Sequence, residues 1–181
     1  MACVFCGGSP TTNEHVFPRW LERFLPPDRR QQLELTRYGA DGYDLFGGNQ
    51  SVPSYATVAA AGETAWTWAA STTDLRALQQ SPGSTSRLAA AWASPTSLTF
   101  DVNLTDGNAH RVALYLVDWD STLRSETVTM TDAATGSVLD SRAVSAFHGG
   151  EYLVWTATGH FKITIARTGG ANAVASGILF G

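Results

Sequence analysis

The sequence has 181 residues, of which 44% are hydrophobic and 15% are charged, and its net charge is −4. This composition supplies enough apolar side chains for one packed domain, with or without an appendage, and excludes wholesale disorder. Only Lys162 among the 12 basic residues is a lysine. No basic tract exists to neutralise phosphates, so nucleic acid is not expected as a partner of the bulk of the chain. No apolar run approaches the ~20 residues of a membrane-spanning helix, so no membrane partner is expected.

The chain begins with two closely spaced cysteines, Cys3 and Cys6, which are the only two in the sequence. Two thiols separated by two residues and followed by glycines are typical of a zinc knuckle, because glycine lets the backbone fold closely around the metal. Together with His15 they predict a structural zinc site. Two thiolates and one imidazole are one ligand short of a closed tetrahedral site, so this site is predicted to be weak.

A shift in composition separates this opening from the rest of the chain. Residues 16–25 are predicted to form a short helix, which the prolines at 26 and 27 end. The polar residues that follow are typical of a linker. The sequence therefore predicts a Cys-x-x-Cys leader with a short helix and linker over residues 1–36, and a main domain over residues 37–181.

The opening also resembles the start of small HNH-type endonucleases, in which Cys-x-x-Cys-Gly precedes Glu-His-x-x-Pro. In that family a second thiol pair completes the zinc site, and a later Asn and His complete the nuclease site. This sequence has no third cysteine, so the resemblance stops before the catalytic half. It implies, as an alternative function, a zinc- or DNA-associated nuclease fragment. The matching residues are Cys3, Cys6, Gly7, Glu14, His15 and Pro18.

From residue 38 onward, short strands alternate with turns. Runs rich in β-branched and aromatic residues are separated about every 8–12 residues by Gly, Asn, Asp or Pro clusters, which is typical of a β-sandwich or jelly roll. One short helical turn is predicted over residues 71–80, with Ser71 or Thr73 as its cap. Trp66 and Trp68 are predicted to share one face of their strand. Strands are predicted over 43–46, 55–60, 64–69, 87–92, 97–104, 111–119, 125–131, 138–143, 152–156, 160–167 and 173–180.

The stretch from Ser97 to Trp119 is the centre of the fold prediction. From residue 98 to residue 104 apolar and polar residues alternate strictly, which is the period of a half-buried strand. Gly107 lies in a turn sequence, and the following run over 111–119 is apolar on both faces, as in a strand inside a sheet. The two strands are therefore predicted to pair as a hairpin at the centre of an all-β, antiparallel sandwich.

Residues 38–181 resemble a bacterial galactose-binding-like jelly-roll domain of the carbohydrate-binding-module type. In that superfamily the usual function is non-catalytic binding of carbohydrate by loops at one end of the sandwich, and some members hold a structural calcium. Such domains are usual in secreted or surface proteins, whereas no signal peptide is visible at this N-terminus. The resemblance implies a non-enzymatic carbohydrate-binding module. The stretches that carry it are 39–43, 66–74, 76–79, 101–107, 111–115, 118–120, 124–126 and 176–180.

A sugar site needs a flat aromatic face and planar polar groups, and one loop region offers both. Trp119 lies between two aspartates where the central strand ends. In an alternative interpretation these aspartates pair with Arg124 or Arg87 and hold a loop, and Trp92 packs in the core. The predicted ligand-binding residues are Trp119, Asp118, Asp120, Arg124, Asp74, Arg76 and Trp92.

A weak calcium site is predicted from Asp41 and Asp44, with Glu126 or Glu151, because calcium takes several oxygen ligands. The alternative is that these are ordinary turn and surface residues. The histidines at 110, 148 and 160 share no spacing and are interpreted as surface or hydrogen-bonded side chains. A third function stays open at this point, a structural or protein-interaction module of unknown ligand.

Overall fold

A computed structural model describes residues 38–181. The predicted zinc ligands Cys3, Cys6 and His15, the HNH-like motif and the predicted leader lie outside the described residues. The described part is built from β-strands, with one 3-10 turn at Phe147–Gly149. The strands are β1 (Gly42–Leu45), β2 (Gln50–Ser51), β3 (Ala56–Ala61), β4 (Thr64–Thr72), β5 (Leu78–Gln79), β6 (Arg87–Ser94), β7 (Ser97–Leu104), β8 (His110–Leu116), β9 (Ser125–Asp132), β10 (Val138–Ser145), β11 (Glu151–Ala157), β12 (His160–Gly169), β13 (Ala173–Ala175) and β14 (Gly177–Phe180).

The strands form two five-stranded sheets and one smaller sheet, and the pairings are antiparallel. Sheet A has the order β11-β8-β14-β1-β2, and sheet B has the order β10-β9-β12-β7-β3. Sheet C has the order β13-β6-β4, with β5 also paired to β6. The predicted all-β, antiparallel sandwich is therefore confirmed.

The main core lies between these sheets. On β7, the four alternating apolar residues from Leu98 to Leu104 are at most 2% exposed, as their period of two predicts. They form one cluster with Ile163 and Ile165 from β12 and with Leu114 from sheet A. Burying each such side chain contributes about 1.5–3 kcal/mol, so this cluster contributes strongly to the stability of the described part.

The predicted hairpin between β7 and β8 is wrong. β7 pairs with β12 and β3 in sheet B, whereas β8 pairs with β11 and β14 in sheet A. Turn residues around Gly107, whose φ is 75°, let the chain reverse, but they do not decide whether it returns beside itself or crosses to the other layer. Crossing buries both faces of β8, since Val112 and Leu114 join the main cluster and Ala113 and Tyr115 join a second cluster behind sheet A. The prediction that β8 lies inside a sheet is confirmed.

Three local predictions also need correction. Residues 71–80 form no helical turn, because the Asp74 carboxylate accepts the backbone N–H of Arg76 at 2.9 Å and so competes with helix hydrogen bonds. The last predicted strand divides at Ser176 into β13 in sheet C and β14 in sheet A. A bulge between Thr67 and Ala69 leaves Trp66 58% exposed while Trp68 packs against the core, so the two rings do not share one environment.

A polar clamp joins the two sheets along one side of the sandwich. The Trp155 indole donates to Asp140 Oδ2 at 2.6 Å, and Arg142 Nε donates to the same oxygen at 2.6 Å. The Arg142 guanidinium also lies 4.8 Å from the Trp155 ring centroid. Because β10 is an edge of sheet B and β11 an edge of sheet A, this clamp closes the seam between them. Within residues 38–181 no helix is long and apolar enough to cross a membrane.

Candidate functional site

The loop over residues 117–124 carries the chain from β8 in sheet A to β9 in sheet B. It lies at one rim of the sandwich beside the turn over residues 73–77 and the 3-10 turn at Phe147–Gly149, which contact it through hydrogen bonds. We use the name rim cluster for the polar and aromatic side chains that meet there, Asp74, Arg76, Asp118, Trp119, Asp120, Arg124 and His148.

Arg124 and Asp118 form a buried ion pair beneath the rim cluster. Their side chains are only 6% and 1% exposed, and Arg124 Nη1 donates to Asp118 Oδ1. Arg124 also donates to Asp120 Oδ1 at 2.5 Å and to Asn172 Oδ1 at 2.8 Å. Burial alone would lower the pKa of Arg124, but the two carboxylates outweigh it and hold that pKa above its ordinary value. The pair therefore fixes the 117–124 loop. Arg87, the other arginine predicted as a partner of these aspartates, instead donates to the carbonyl of Ala77 at 3.1 Å.

Asp74 and Arg76 form the outer pair of the rim cluster. Arg76 Nη2 lies 2.9 Å from Asp74 Oδ2, with side-chain exposures of 26% and 37%. The guanidinium lies 4.3 Å from the Trp119 ring centroid, and its Nη1 donates to the Trp119 carbonyl at 3.3 Å. The hydrogen bond from Arg76 is the largest cause that lowers the pKa of Asp74, so Asp74 stays charged at neutral pH. It presents planar polar groups beside a half-buried indole.

Asp120 is the most exposed acid of this loop, with a side chain that is 49% exposed. Burial raises the pKa of Asp120, but the hydrogen bond and charge of Arg124 outweigh this and lower it. Oδ1 of Asp120 accepts a hydrogen bond from Arg124, while the rest of the carboxylate is exposed to solvent. It is therefore a fixed acceptor at the surface of the rim.

His148 links the parts of the rim cluster. Its Nδ1 lies 2.7 Å from the carbonyl oxygen of Asp118 and 2.9 Å from that of Ser121. Arg76 Nη1 lies 3.0 Å from Nε2 and 3.4 Å from Nδ1 of the same ring, so the guanidinium lies against the imidazole. The same Nη1 donates to the His148 carbonyl at 3.4 Å. The sequence predicts a surface or hydrogen-bonded histidine at this position, and a hydrogen-bonded one is found. Its contact with Arg76 had no signal in the sequence, because the two residues are 72 positions apart.

Trp92 lies away from the rim cluster. It is on β6, opposite Ala65 of β4 and Ala175 of β13. Its ring stacks on Phe46 with a centroid distance of 4.3 Å and an interplanar angle of 8°, inside the stack that also contains Phe100. Of the predicted ligand-binding residues, the structure brings six together and places Trp92 in the core packing, as the alternative interpretation has it.

Glu126, on β9, is a buried acid that the ligand-binding prediction does not contain. It is 1% exposed, and its Oε2 accepts the backbone N–H of Val174 at 3.0 Å. Within the described residues its Oε1 has no hydrogen-bond partner. Burial, partly offset by the Val174 N–H and by Arg124, raises the pKa of Glu126 to about 8. A protonated, uncharged acid therefore lies beneath the rim at neutral pH.

The two aspartates predicted as calcium ligands have different surroundings. Asp41 accepts the Tyr55 hydroxyl at 2.8 Å, and burial raises the pKa of Asp44 on β1. Among residues 38–181, no three His, Cys, Asp or Glu side chains form a group that could hold a metal ion. Calcium binding by Asp41 and Asp44 stays a prediction without a third such ligand beside them.

Comparisons with known proteins give structural likenesses at low similarity. No protein-family model matches the sequence, and no curated protein matches it. Among solved structures, the carbohydrate-binding module of Cellvibrio mixtus lichenase 5A in complex with cellotriose is 9% identical, with a TM-score of 0.40, over 77% of this chain and 95% of that one. A family 35 carbohydrate-binding module from Clostridium thermocellum is 10% identical, with a TM-score of 0.36, over 67% of this chain and 90% of that one.

A third similar structure belongs to a larger protein. The exo-beta-1,3-galactanase of Phanerochaete chrysosporium with beta-1,3-galactotriose is 20% identical, with a TM-score of 0.39, and the likeness covers 74% of this chain but 30% of that one. At these TM-scores the assignment of the sandwich rests on the strands and pairings described above.

Proposed function

We propose that residues 38–181 form a non-catalytic β-sandwich module that binds carbohydrate at the rim cluster. The observation that carries the proposal is the Asp74–Arg76 pair, which is fixed beside the indole of Trp119 by contacts at 2.9 Å and 4.3 Å. Planar carboxylate and guanidinium groups match pairs of sugar hydroxyls, and an indole matches the apolar side of a pyranose. The ligand contacts are assigned to Trp119, Asp74, Arg76 and Asp120.

Rigidity of the rim supports this assignment. The loop that carries Trp119 is held from below by Arg124, which bonds Asp118, Asp120 and Asn172. A ligand that meets fixed groups loses less binding energy to the ordering of side chains and loops. Asp118 and Arg124 therefore act as positioning residues that keep the contact residues in place.

The proposal is tested by affinity gel electrophoresis and a glycan array, with cellotriose and beta-1,3-galactotriose among the soluble probes. Trp119→Ala is expected to reduce affinity by at least about tenfold, as is usual for a central aromatic contact. Leu139→Ala is the control, since Leu139 is 58% exposed at the far end of the β9–β10 hairpin. Unchanged binding by Trp119→Ala rejects this site, and a wild-type protein that binds no glycan rejects the function.

A second candidate function, a protein-interaction module, is favoured by one observation. Val138 and Leu139 are adjacent, 64% and 58% exposed, and lie on β10, an edge strand of sheet B. Exposed apolar pairs on an unpaired edge are features of protein contacts. Light scattering of the wild type and of Leu139→Glu tests it, with a loss of self-association in the variant as the expected result.

A further inference from the structure

The turn over residues 73–77 belongs to no strand, so side chains bind main-chain groups that a sheet would otherwise pair. The N–H of Arg76 donates to Asp74 Oδ1 at 2.9 Å. The carbonyl oxygen of Arg76 accepts the hydroxyl of Tyr115 at 2.6 Å. Both main-chain polar groups of Arg76 are therefore bound by side chains, and one of these side chains comes from sheet A.

Tyr115 is a firmly held donor. It lies on β8, opposite Tyr152 of β11 and Gly177 of β14, and it is only 4% exposed. Its ring packs on that of Tyr152 with a centroid distance of 4.5 Å, within the second cluster. A tyrosine has only two side-chain torsions that place its ring, so packing that fixes the ring also fixes the phenolic oxygen.

The same oxygen lies close to the turn that carries His148. Gly150 follows this 3-10 turn with a φ of 85°, a left-handed value that glycine adopts without strain. A Cβ added at Gly150 would lie 2.0 Å from the Tyr115 hydroxyl oxygen, so the main chain reaches this distance only as glycine. The hydroxyl of Tyr115 therefore contacts two of the segments that form the rim, the 73–77 turn and the end of the Phe147–Gly149 turn.

We propose that Tyr115 is a positioning residue of the rim cluster, which places Arg76 for ligand contact by fixing its main chain against sheet A. The binding part of this inference rests on the proposed function. The Arg76 guanidinium lies 2.9 Å from Asp74 and 4.3 Å from the Trp119 ring centroid at the same time, and both contacts depend on where the main chain of Arg76 lies. Tyr115 precedes Trp119 by four residues on the same stretch of chain. One segment therefore carries the indole and also fixes the arginine that meets it.

Tyr115→Phe is the variant that isolates the hydroxyl. Phenylalanine keeps the ring and its packing on Tyr152, so the fold is expected to be retained, while the Arg76 carbonyl loses its donor. The guanidinium is then expected to be held less firmly over Trp119. Tyr43→Phe is the matched control, because it deletes the same group from another tyrosine that packs against the second cluster, on β1.

The first experiment needs no ligand and uses the full chain. ¹H–¹⁵N NMR measures how fast the Arg76 Nε–H, which lies 3.2 Å from both oxygens of Asp74, exchanges with water. Exchange is expected to be about fivefold faster in Tyr115→Phe, the usual effect of one lost hydrogen bond, and unchanged in Tyr43→Phe. Equal exchange in Tyr115→Phe and the wild type, or equal acceleration in both variants, overturns the inference.

The second experiment is a double-variant cycle on glycan affinity, with the probe selected on the array. Tyr115→Phe alone is expected to bind about fivefold more weakly than the wild type. Arg76→Ala keeps the main-chain carbonyl but has no guanidinium to place, so adding Tyr115→Phe to it is expected to cause no further loss. A loss of equal size in both backgrounds means that Tyr115 acts without Arg76, and this result overturns the inference.

The two experiments separate the inference from the proposed function. Glycan binding that Tyr115→Phe leaves unchanged overturns the inference and leaves the function intact. A wild-type protein that binds no glycan removes the function, and the exchange of the Arg76 Nε–H then still decides whether Tyr115 positions Arg76.

Discussion

Two arginines of the rim cluster pair with aspartates, Arg124 in the interior and Arg76 at the surface. Arg124 is 6% exposed and binds two carboxylates and an amide, whereas the side chain of Arg76 is 26% exposed and lies over an indole. Burial makes the first pair expensive to break, because a lost partner leaves an uncompensated charge in the interior. Solvent makes the second pair nearly neutral for stability and leaves it free to meet a ligand. The buried arginine–aspartate pair therefore stabilises the loop, whereas the exposed pair is available to contact a ligand.

The largest expected effect comes from breaking the buried pair. Arg124→Met leaves Asp118 buried at 1% exposure without its cation, so the free energy of unfolding is expected to fall by about 3–5 kcal/mol. Urea denaturation measures it. The double variant Arg124→Met/Asp118→Leu is the control and is expected to recover part of the loss. A change below about 1 kcal/mol in the single variant contradicts the role given to Arg124.

The buried side of the comparison can also be tested through the pH dependence of stability, because Glu126 is a buried acid near Arg124. Its pKa in the folded state is about 8, above the unfolded value of about 4.3, so between these values the folded state binds the extra proton and stability falls as pH rises. Glu126→Gln cannot ionise. We expect the stability of this variant relative to the wild type to increase from pH 5 to pH 8 by a few kcal/mol at most, at about 1.4 kcal/mol per unit or less. Denaturation midpoints at several pH values check it, and parallel curves for the two proteins contradict it.

The smallest expected effect on stability belongs to the exposed arginine. Arg76→Ala removes a partly solvated ion pair, so the free energy of unfolding is expected to change by about 1 kcal/mol or less. Its glycan affinity is expected to fall by about tenfold or more. Arg142→Ala is the control, since the Arg142 side chain is similarly exposed, at 37%, and pairs with Asp140 in the polar clamp, outside the rim cluster. Equal affinity in Arg76→Ala and wild type contradicts the contact role of the outer pair.

Much of the fold was predictable because strand alternation is local. The period of two from Leu98 to Leu104 indicates which side chains are buried, and the two-sided apolar run that became β8 indicates an interior strand. Which strands become neighbours is decided by long-range packing. The turn at Gly107 has the same chemistry in a hairpin and in a crossing between sheets, so the partner of β7 could not be read from it.

The sequence predicts which residues belong to the candidate site, but not which of them are buried and which are exposed to a ligand. Trp119 between two aspartates marks the loop, and the Asp74–Arg76 pair is local in sequence. Nothing local distinguishes Arg124 from Arg76, because their difference in burial arises from how sheets A and B meet. His148 and Glu126 enter through contacts 72 and 48 residues apart along the chain, which one sequence does not reveal.

The most direct test of the account is an NMR titration of the full chain with a glycan that it retains, following backbone amide shifts. The account predicts that the largest shifts fall on residues 74–76, 119–123 and 148, with little change on the outer face of sheet B. Binding that shifts sheet residues while these three segments stay unchanged would contradict the claim that the rim cluster is the recognition surface.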